Sequence, residues 1–435
     1  MTCATQILKR VQDDTPLSPD YKTMENNSAI VHIDGDSFFV SCELLSRPDL
    51  RGKPVITGGE RGIASAMNTE AKRIGITRGM PVFQIKRDFP QVVILPSNFA
   101  IYEEYNARML AIARRYSDVV EAYSIDECFV DVTHVGTTWE DNVALAQELK
   151  ATLKRELGLT FSLGLAPTKV LAKVASKNRK PDGFTAMQHG DIENFLRDVE
   201  IGDVWGIGWA TAPRFRSAGI HTALDFARKD KAWIQRHCTA PHETIWHELG
   251  GRALMDISTE HSQMKSIQAT RMFPKNSTDP DYVFSHLSRD IEIAAGRLRR
   301  MGLYTKKISI FIKERDHKRH WADVELPDYT NYADVMVAHA RIAFDALFSK
   351  YQIYKAAGVT CHGLVAREDM TASLFVDPFH KDSMYQAMDA VTEKFGDYSL
   401  VFASSMDAVK SYQRDTTKIE RREKMYPLPY LGEVN

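Results

Sequence analysis

Two short acidic motifs, each set where an apolar run stops, constrain this chain more than any other feature. From Ala29 to Ile33 an apolar strand leads straight into Asp34, and Gly35 allows close backbone approach before Phe38 and Phe39 start the next element. Farther on, Val119–Ser124 and Cys128–Val132 read as two β runs, with Ile125-Asp126-Glu127 where the hairpin turns. An acid in a turn is ordinarily a solvated turn residue. Three acids at separate strand tips, next to small residues, instead describe a site for divalent metal with the hard oxygen ligands that Mg2+ prefers. Two such ions, about 3.5–4 Å apart, would stabilise both the entering and the leaving oxygen of a phosphoryl transfer.

The order of elements around these acids gives an α/β sheet. A strand over Thr160–Leu165 is followed by Pro167-Thr168 and by a helix whose apolar positions Val170, Leu171, Val174 and Ala175 fall at helical spacing, so Lys169 emerges at its N-terminus. Helical stretches over 102–116 and 142–157 complete the order strand, inserted segment, helix, hairpin, helix, strand, helix. The insertion, 44–96, is rich in Gly and Pro and carries a helical stretch from Asn68 to Gly75; it reads as a small lobe. After Pro181-Asp182-Gly183 the Gly206-Ile207-Gly208 triplet between short helices suits a helix-hairpin-helix near 202–220, whose glycines expose backbone N–H groups to a phosphate. From Ser266 the order is β-α-β-β-α-β: strand 266–272, helix 282–301, strands 307–313 and 321–326, helix 333–350, strand 357–364.

With 435 residues the chain has room for two to four domains, and its formal net charge of −1 means that any contact with nucleic acid must come from a local concentration of Lys and Arg. The last domain supplies one: Arg297, Arg299 and Arg300 at a helix end, Lys306 and Lys307 at the next strand, then Lys313. A charge run is usually a solvated face, but this one favours contact with a nucleic-acid backbone without reading sequence. The five cysteines are scattered, with no metal-binding spacing, which suits a reducing cytosol. No apolar run approaches the roughly 20 residues of a membrane helix, and no signal peptide opens the chain, so a cytoplasmic protein with no membrane partner is expected. Residues 1–28 are polar and aperiodic and read as a flexible extension.

Single residues gain meaning beside the acids. Phe38 after a strand is ordinarily core, whereas Phe39, five positions past Asp34, could wall a pocket beneath a nucleotide sugar, where a bulky ring would clash with a 2′-hydroxyl. Lys72 and Arg73 in the inserted lobe, opposed by Lys169 from the sheet, could clamp a triphosphate.

These residues form a recognisable pattern. Ile33-Asp34-Gly35-Asp36-Ser37-Phe38-Phe39, Tyr123-Ser124-Ile125-Asp126-Glu127, Gly164-Leu165-Ala166-Pro167-Thr168-Lys169 and Asp203-Val204-Trp205-Gly206-Ile207-Gly208, in this order, resemble a Y-family translesion DNA polymerase over about residues 30–395. Arg47-Pro48-Asp49-Leu50 and Val204–Gly208 resemble the UmuC branch, and Gly58-Gly59 the DinB branch, with UmuC the closer. The resemblance implies a multidomain right hand without proofreading: palm 29–37 and 97–176, fingers 38–96, thumb 177–260, little finger 266–365 and a C-terminal tail 366–435. It implies Asp34, Asp126 and Glu127 as catalytic acids holding two Mg2+ ions, the Gly35 carbonyl as a further ligand, Phe39 as steric gate, and Phe38, Thr69, Lys72, Arg73 and Lys169 around the nucleotide. It implies Gly206, Gly208 and the basic residues of the last domain as DNA contacts. Implied partners are primed template DNA and dNTP, with a sliding clamp, a UmuD-like subunit and a recombinase filament as further candidates.

Several features depart from the family pattern. Thr69 stands where many members have Tyr, Lys72 where many have Arg, Ser37 where an aromatic residue or Ala is frequent, and Thr371–Phe375 resembles a clamp-binding peptide without its leading Gln. Two rival functions are weighed: a catalytically silent DNA-binding accessory, disfavoured because all three acids remain, and a nucleotidyl cyclase, disfavoured by the helix-hairpin-helix and the basic last domain.

Overall fold

A computed structural model describes residues 28–259, 264–370, 379–396 and 398–416. The expected extension up to residue 27 and the segment Thr371–Phe375 lie outside the described residues. Two compact units divide near residue 261.

The first unit is built on a five-stranded sheet in the spatial order Val120–Ala122, Glu127–Asp131, Ile30–Gly35, Phe161–Ala166, Phe184–Ala186. Neighbours are antiparallel except the last pair. Alternation along the central strand separates the two faces. Val31 and Ile33 enter a core with helices Phe99–Ala113 and Trp139–Leu157. His32 and Asp34 stand on the other face, under helix Lys169–Asn178. Both helices of the first core begin three residues earlier than their apolar spacing predicts. For the second the cause is a capping box, in which Thr138 and Asp141 satisfy the first-turn amides with polar side chains.

Gly164 fixes how near helix Lys169–Asn178 lies to the sheet. A Cβ at Gly164 would come within 2.1 Å of the Ala172 carbonyl oxygen and 2.4 Å of the Ser176 amide nitrogen. Only a residue without a side chain permits that approach. Thr168 caps the helix and donates its hydroxyl to the Glu248 carbonyl at 2.9 Å, tying it to the small helices between Ile192 and Leu249 that share its core. The inserted lobe is a three-stranded sheet of Ala66–Met67, Val55–Thr57 and Val93–Leu95, with Asn68 capping the short helix Thr69–Arg73.

The second unit keeps the β-α-β-β-α-β order. Its antiparallel sheet runs Arg319–Thr330, Leu303–Glu314, Tyr354–His362, Ser266–Ser277, with helices Pro280–Arg300 and Ala333–Leu347 against the face lined by Ile308, Ile310 and Ile312. The segment after residue 365, expected as a tail, instead carries two helices, Asp382–Phe395 and Met406–Thr416. Tyr385 is buried, stacks on Tyr332 with ring centroids 5.0 Å apart, and donates to Asp334 Oδ1 at 2.7 Å. Ala408 N–H donates to Ser285 Oγ at 2.7 Å. These anchors are polar and aromatic, so hydrophobic periodicity does not reveal them. Among the described residues no helix is long and apolar enough to cross a membrane.

Candidate active site

Asp34 and Glu127 are register partners on adjacent antiparallel strands, and both project toward helix Lys169–Asn178. Like charges placed opposite one another in a sheet repel. The structure answers with two ammonium groups: Lys173 pairs with Glu127 and Lys180 with Asp34. Asp126, in the turn before the Glu127 strand, accepts from Ser124 Oγ at 3.1 Å, and its carbonyl accepts the Gly35 amide at 2.9 Å. The three acids therefore share one end of the sheet.

Their proton affinities diverge. Burial raises the Asp126 carboxyl, and the charges of Asp34 and Glu127 raise it further. Burial acts the same way on Glu127, but His32 beneath it and the Lys173 ammonium outweigh burial and hold Glu127 at about 2. His32 is fully buried, shares a 2.8 Å hydrogen bond with Ser176 Oγ through Nδ1, and places Nε2 3.7 Å from Glu127 Oε2. Burial lowers its own pKa.

Among the described residues no group of three or more His, Cys, Asp or Glu side chains is gathered at metal-holding distances. Asp34 and Glu127 are turned to their lysines. The donor set nonetheless fits a divalent cation: oxygen ligands only, with a third carboxyl, Asp126, raised first by burial and then by the charges of the other two.

Lys169 is not one of the cations at the acids. Its ammonium is buried and held by both Glu121 oxygens, at 2.7 and 2.9 Å, and by the Asp256 carbonyl at 3.2 Å. Lys173, one turn farther along the same helix, takes Glu127 because Glu127 and Glu121 lie on neighbouring strands of one hairpin. Lys180 is placed by the loop that follows: the Asp182 amide donates to Asp36 Oδ2 at 2.7 Å, fixing that loop to the Asp34 strand. Sequence reasoning passed over His32, Lys173 and Lys180. The available signals were the helical spacing of Lys173 from Lys169 and the position of Lys180 before Pro181-Asp182-Gly183.

Phe38 is buried core, and a Cβ on Gly35 would lie 2.8 Å from its ring. Phe39 is half-buried on the same side of helix Phe38–Leu45 as Glu43 and stacks on Tyr102. Thr69 opens the short lobe helix, and Lys72 and Arg73 end it, both exposed.

Gly206 has φ of +85°, and a Cβ there would strike Ile245 at 2.5 Å, while a Cβ on Gly208 would meet open space. In the second unit the basic residues do not form one patch. Arg299 makes two 2.7 Å hydrogen bonds to Asp389 and one of 2.9 Å to the Asn331 carbonyl. Arg297 donates to the Gln268 carbonyl at 2.8 Å, and Arg300 is exposed on the helical side. Lys306 lies at a register shift in its strand, 6.0 Å from the Tyr329 ring centroid. Lys307, paired with Asp323 at 2.8 Å, and Lys313 alternate with the inward isoleucines and so share the opposite, uncovered sheet face with Phe311 and the exposed Trp321.

Three family profiles match along the chain: the impB/mucB/samB family over residues 33–177, the IMS family HHH motif over 189–220, and the impB/mucB/samB family C-terminal domain over 264–374. The DNA polymerase IV of Akkermansia muciniphila is 30% identical over 338 residues, covering 77% of this chain and 94% of the relative. The chain belongs to the Y family of DNA polymerases. This Y-family chain is also 29% identical to DNA polymerase IV 1 of Bacillus subtilis over 377 residues, covering 84% of it and 90% of that relative. Among solved structures, a Y-family Dbh-Dpo4-Dbh chimera matches the Y-family chain with a TM-score of 0.68 at 22% identity, covering 78% of it and 100% of the chimera. DinB from Sulfolobus solfataricus matches with a TM-score of 0.51 at 22% identity and the same coverage. The HHH motif of this Y-family polymerase contains Gly206 and Gly208.

Proposed function

We propose that Asp34, Asp126 and Glu127 form the catalytic centre of this translesion DNA-directed DNA polymerase, which adds dNTPs to the 3′ end of a primer on a DNA template without proofreading. The observation that carries the reading is the register pairing of Asp34 with Glu127, with Asp126 adjacent at the same sheet end. Y-family polymerases use divalent metal ions; here two Mg2+ ions would be held by the three carboxylates and the Gly35 carbonyl, polarising the α-phosphate and the primer hydroxyl. Lys173 and His32 hold Glu127 ionised and oriented before substrate arrives. Lys180, on a flexible four-carbon stem, can exchange Asp34 for the incoming triphosphate once other positive charge faces the acid. The ring of Phe39 meets the sugar and excludes a 2′-hydroxyl.

The remaining parts take supporting roles. The five-stranded sheet is the palm, the three-stranded lobe the fingers, the small helices around Gly206 and Gly208 the thumb, and the second unit the little finger. Lys72 and Arg73 add charge toward the triphosphate from the fingers, and Gly208 leaves backbone open to a phosphate. Lys313, Arg319, Phe311 and Trp321 on the uncovered little-finger face supply sequence-independent contact with the DNA backbone.

Primer extension by Asp126→Ala/Glu127→Ala tests the centre. Activity falls by about a thousandfold or more if the acids carry catalysis; near-normal extension overturns the assignment.

A further inference from the structure

Phe39 and Glu43 lie one turn apart on helix Phe38–Leu45, and one residue of helix Phe99–Ala113 touches both. Tyr102 lays its ring against Phe39 with centroids 4.2 Å apart and planes 7° apart. At its other end it donates its hydroxyl hydrogen to Glu43 Oε1 at 2.6 Å. The same carboxylate oxygen accepts the Asn98 N–H at 3.1 Å, and that N–H also lies 3.1 Å from the Tyr102 hydroxyl oxygen. Phe99 closes the group edge-on, 5.6 Å from Phe39 and 5.4 Å from Tyr102.

Packing alone does not account for this arrangement. Tyr102 is fully buried and Glu43 is 8% exposed. A phenylalanine at 102 would back Phe39 with the same ring and would not require a carboxylate to be withdrawn from water, which is costly. What the hydroxyl and carboxylate add is a fixed position: the hydrogen bond sets where the Tyr102 ring stands, and the stack transmits that position to Phe39. A ring supported on one face by a fixed neighbour cannot retreat to that side when a 2′-hydroxyl presses on it.

We propose that Tyr102 and Glu43 are positioning residues for deoxyribose selection, holding Phe39 at the depth and tilt where it rejects ribonucleotides. The inference rests on Phe39 facing the sugar. It assigns discrimination to a three-residue unit, Glu43, Tyr102 and Phe39, in which only the last meets substrate.

The test is single-nucleotide insertion on a primed template, comparing kcat/KM for a dNTP with that for the matching rNTP. The ratio compares two sugars on one enzyme, so partial loss of folded protein cancels. Tyr102→Phe and Glu43→Gln each lower the ratio by about five- to tenfold, Phe39→Ala lowers it by about a hundredfold, and Phe39→Ala/Tyr102→Phe equals Phe39→Ala alone because the supported ring is gone. If Phe39→Ala lowers the ratio while Tyr102→Phe and Glu43→Gln both leave it unchanged, the positioning role is overturned and the gate stands. If Phe39→Ala itself leaves the ratio unchanged, the sugar-facing reading of Phe39 fails, and this inference with it.

Discussion

Arg299 and Asp389 are joined by two hydrogen bonds of 2.7 Å, Nε to Oδ2 and Nη2 to Oδ1, so helix Asp382–Phe395 is fastened to helix Pro280–Arg300 by a forked pair. The Arg299 guanidinium also lies 4.5 Å from the Tyr385 ring centroid. A side chain held on three sides is structural. Arg299→Ala therefore lowers the unfolding free energy of the second unit by about 1–2 kcal/mol, with Asp389→Ala similar and the double variant less than additive. Affinity for primed DNA stays within about twofold of wild type. A large loss of DNA affinity with unchanged stability would show that Arg299 contacts DNA after all.

Lys169 on helix Lys169–Asn178 and Lys180 beyond it separate by function. Lys180→Ala raises the KM for dNTP by about tenfold while the fold is kept, because Lys180 is a third exposed and its partner Asp34 lies at the metal-binding end. Lys169→Ala instead strands Glu121, whose side chain is 15% exposed, and costs about 2–4 kcal/mol of stability. Thermal melts and steady-state kinetics on both variants check this; equal kinetic effects without a melting change in Lys169→Ala would contradict it.

Gly164→Ala is expected to be among the most damaging small substitutions in the first unit. The added methyl meets helix backbone and not a movable side chain, so helix Lys169–Asn178 must shift, carrying Lys173 and Ser176 away from Glu127 and His32. Destabilisation of about 3 kcal/mol or more follows, with insertion activity reduced even in the folded fraction. A melting temperature within 2 °C of wild type, about the effect of half a kcal/mol, would refute the close approach.

In the second unit His286 gives stability a pH dependence. Burial, with the Arg271 charge adding to it, lowers its imidazole to about 4, against about 6.5 in an unfolded chain. Between those values the unfolded chain binds more protons, so stability falls as pH drops through that window, by up to about 1.4 kcal/mol per pH unit. Burial pushes the nearby Asp290 carboxyl up to about 8, which works the opposite way, stability falling as pH rises toward that value. The difference between wild type and His286→Gln isolates the histidine: going from pH 7 to pH 5 should lower the urea midpoint more, or raise it less, in wild type than in the variant. An equal change in both proteins rejects this.

Much of the framework was legible because local pattern decides it. The apolar run before Asp34, the helix after Thr168 and the β-α-β-β-α-β order from Ser266 follow from periodicities of two and 3.6 residues and from capping side chains. The helices Asp382–Phe395 and Met406–Thr416 were missed because polar pairs such as Arg299 with Asp389 and Tyr385 with Asp334 hold them in place. Those pairs connect residues far apart in the chain, and neither member looks like core when read alone.

At the site, residue type and strand alternation already specify which groups exist and which way they point. The alternation His32, Ile33, Asp34 sends the histidine and the acid to one face and the isoleucine to the other. Tertiary structure alone decided their partners. Lys169 and Lys173 differ by one helical turn, yet one neutralises Glu121 and the other Glu127, and Lys180 reaches Asp34 from a loop tied down by Asp36. The reason is physical: a charge pairs with whichever opposite charge the strand order and register bring within a few ångströms, and register is set by contacts between segments that local sequence pattern does not relate.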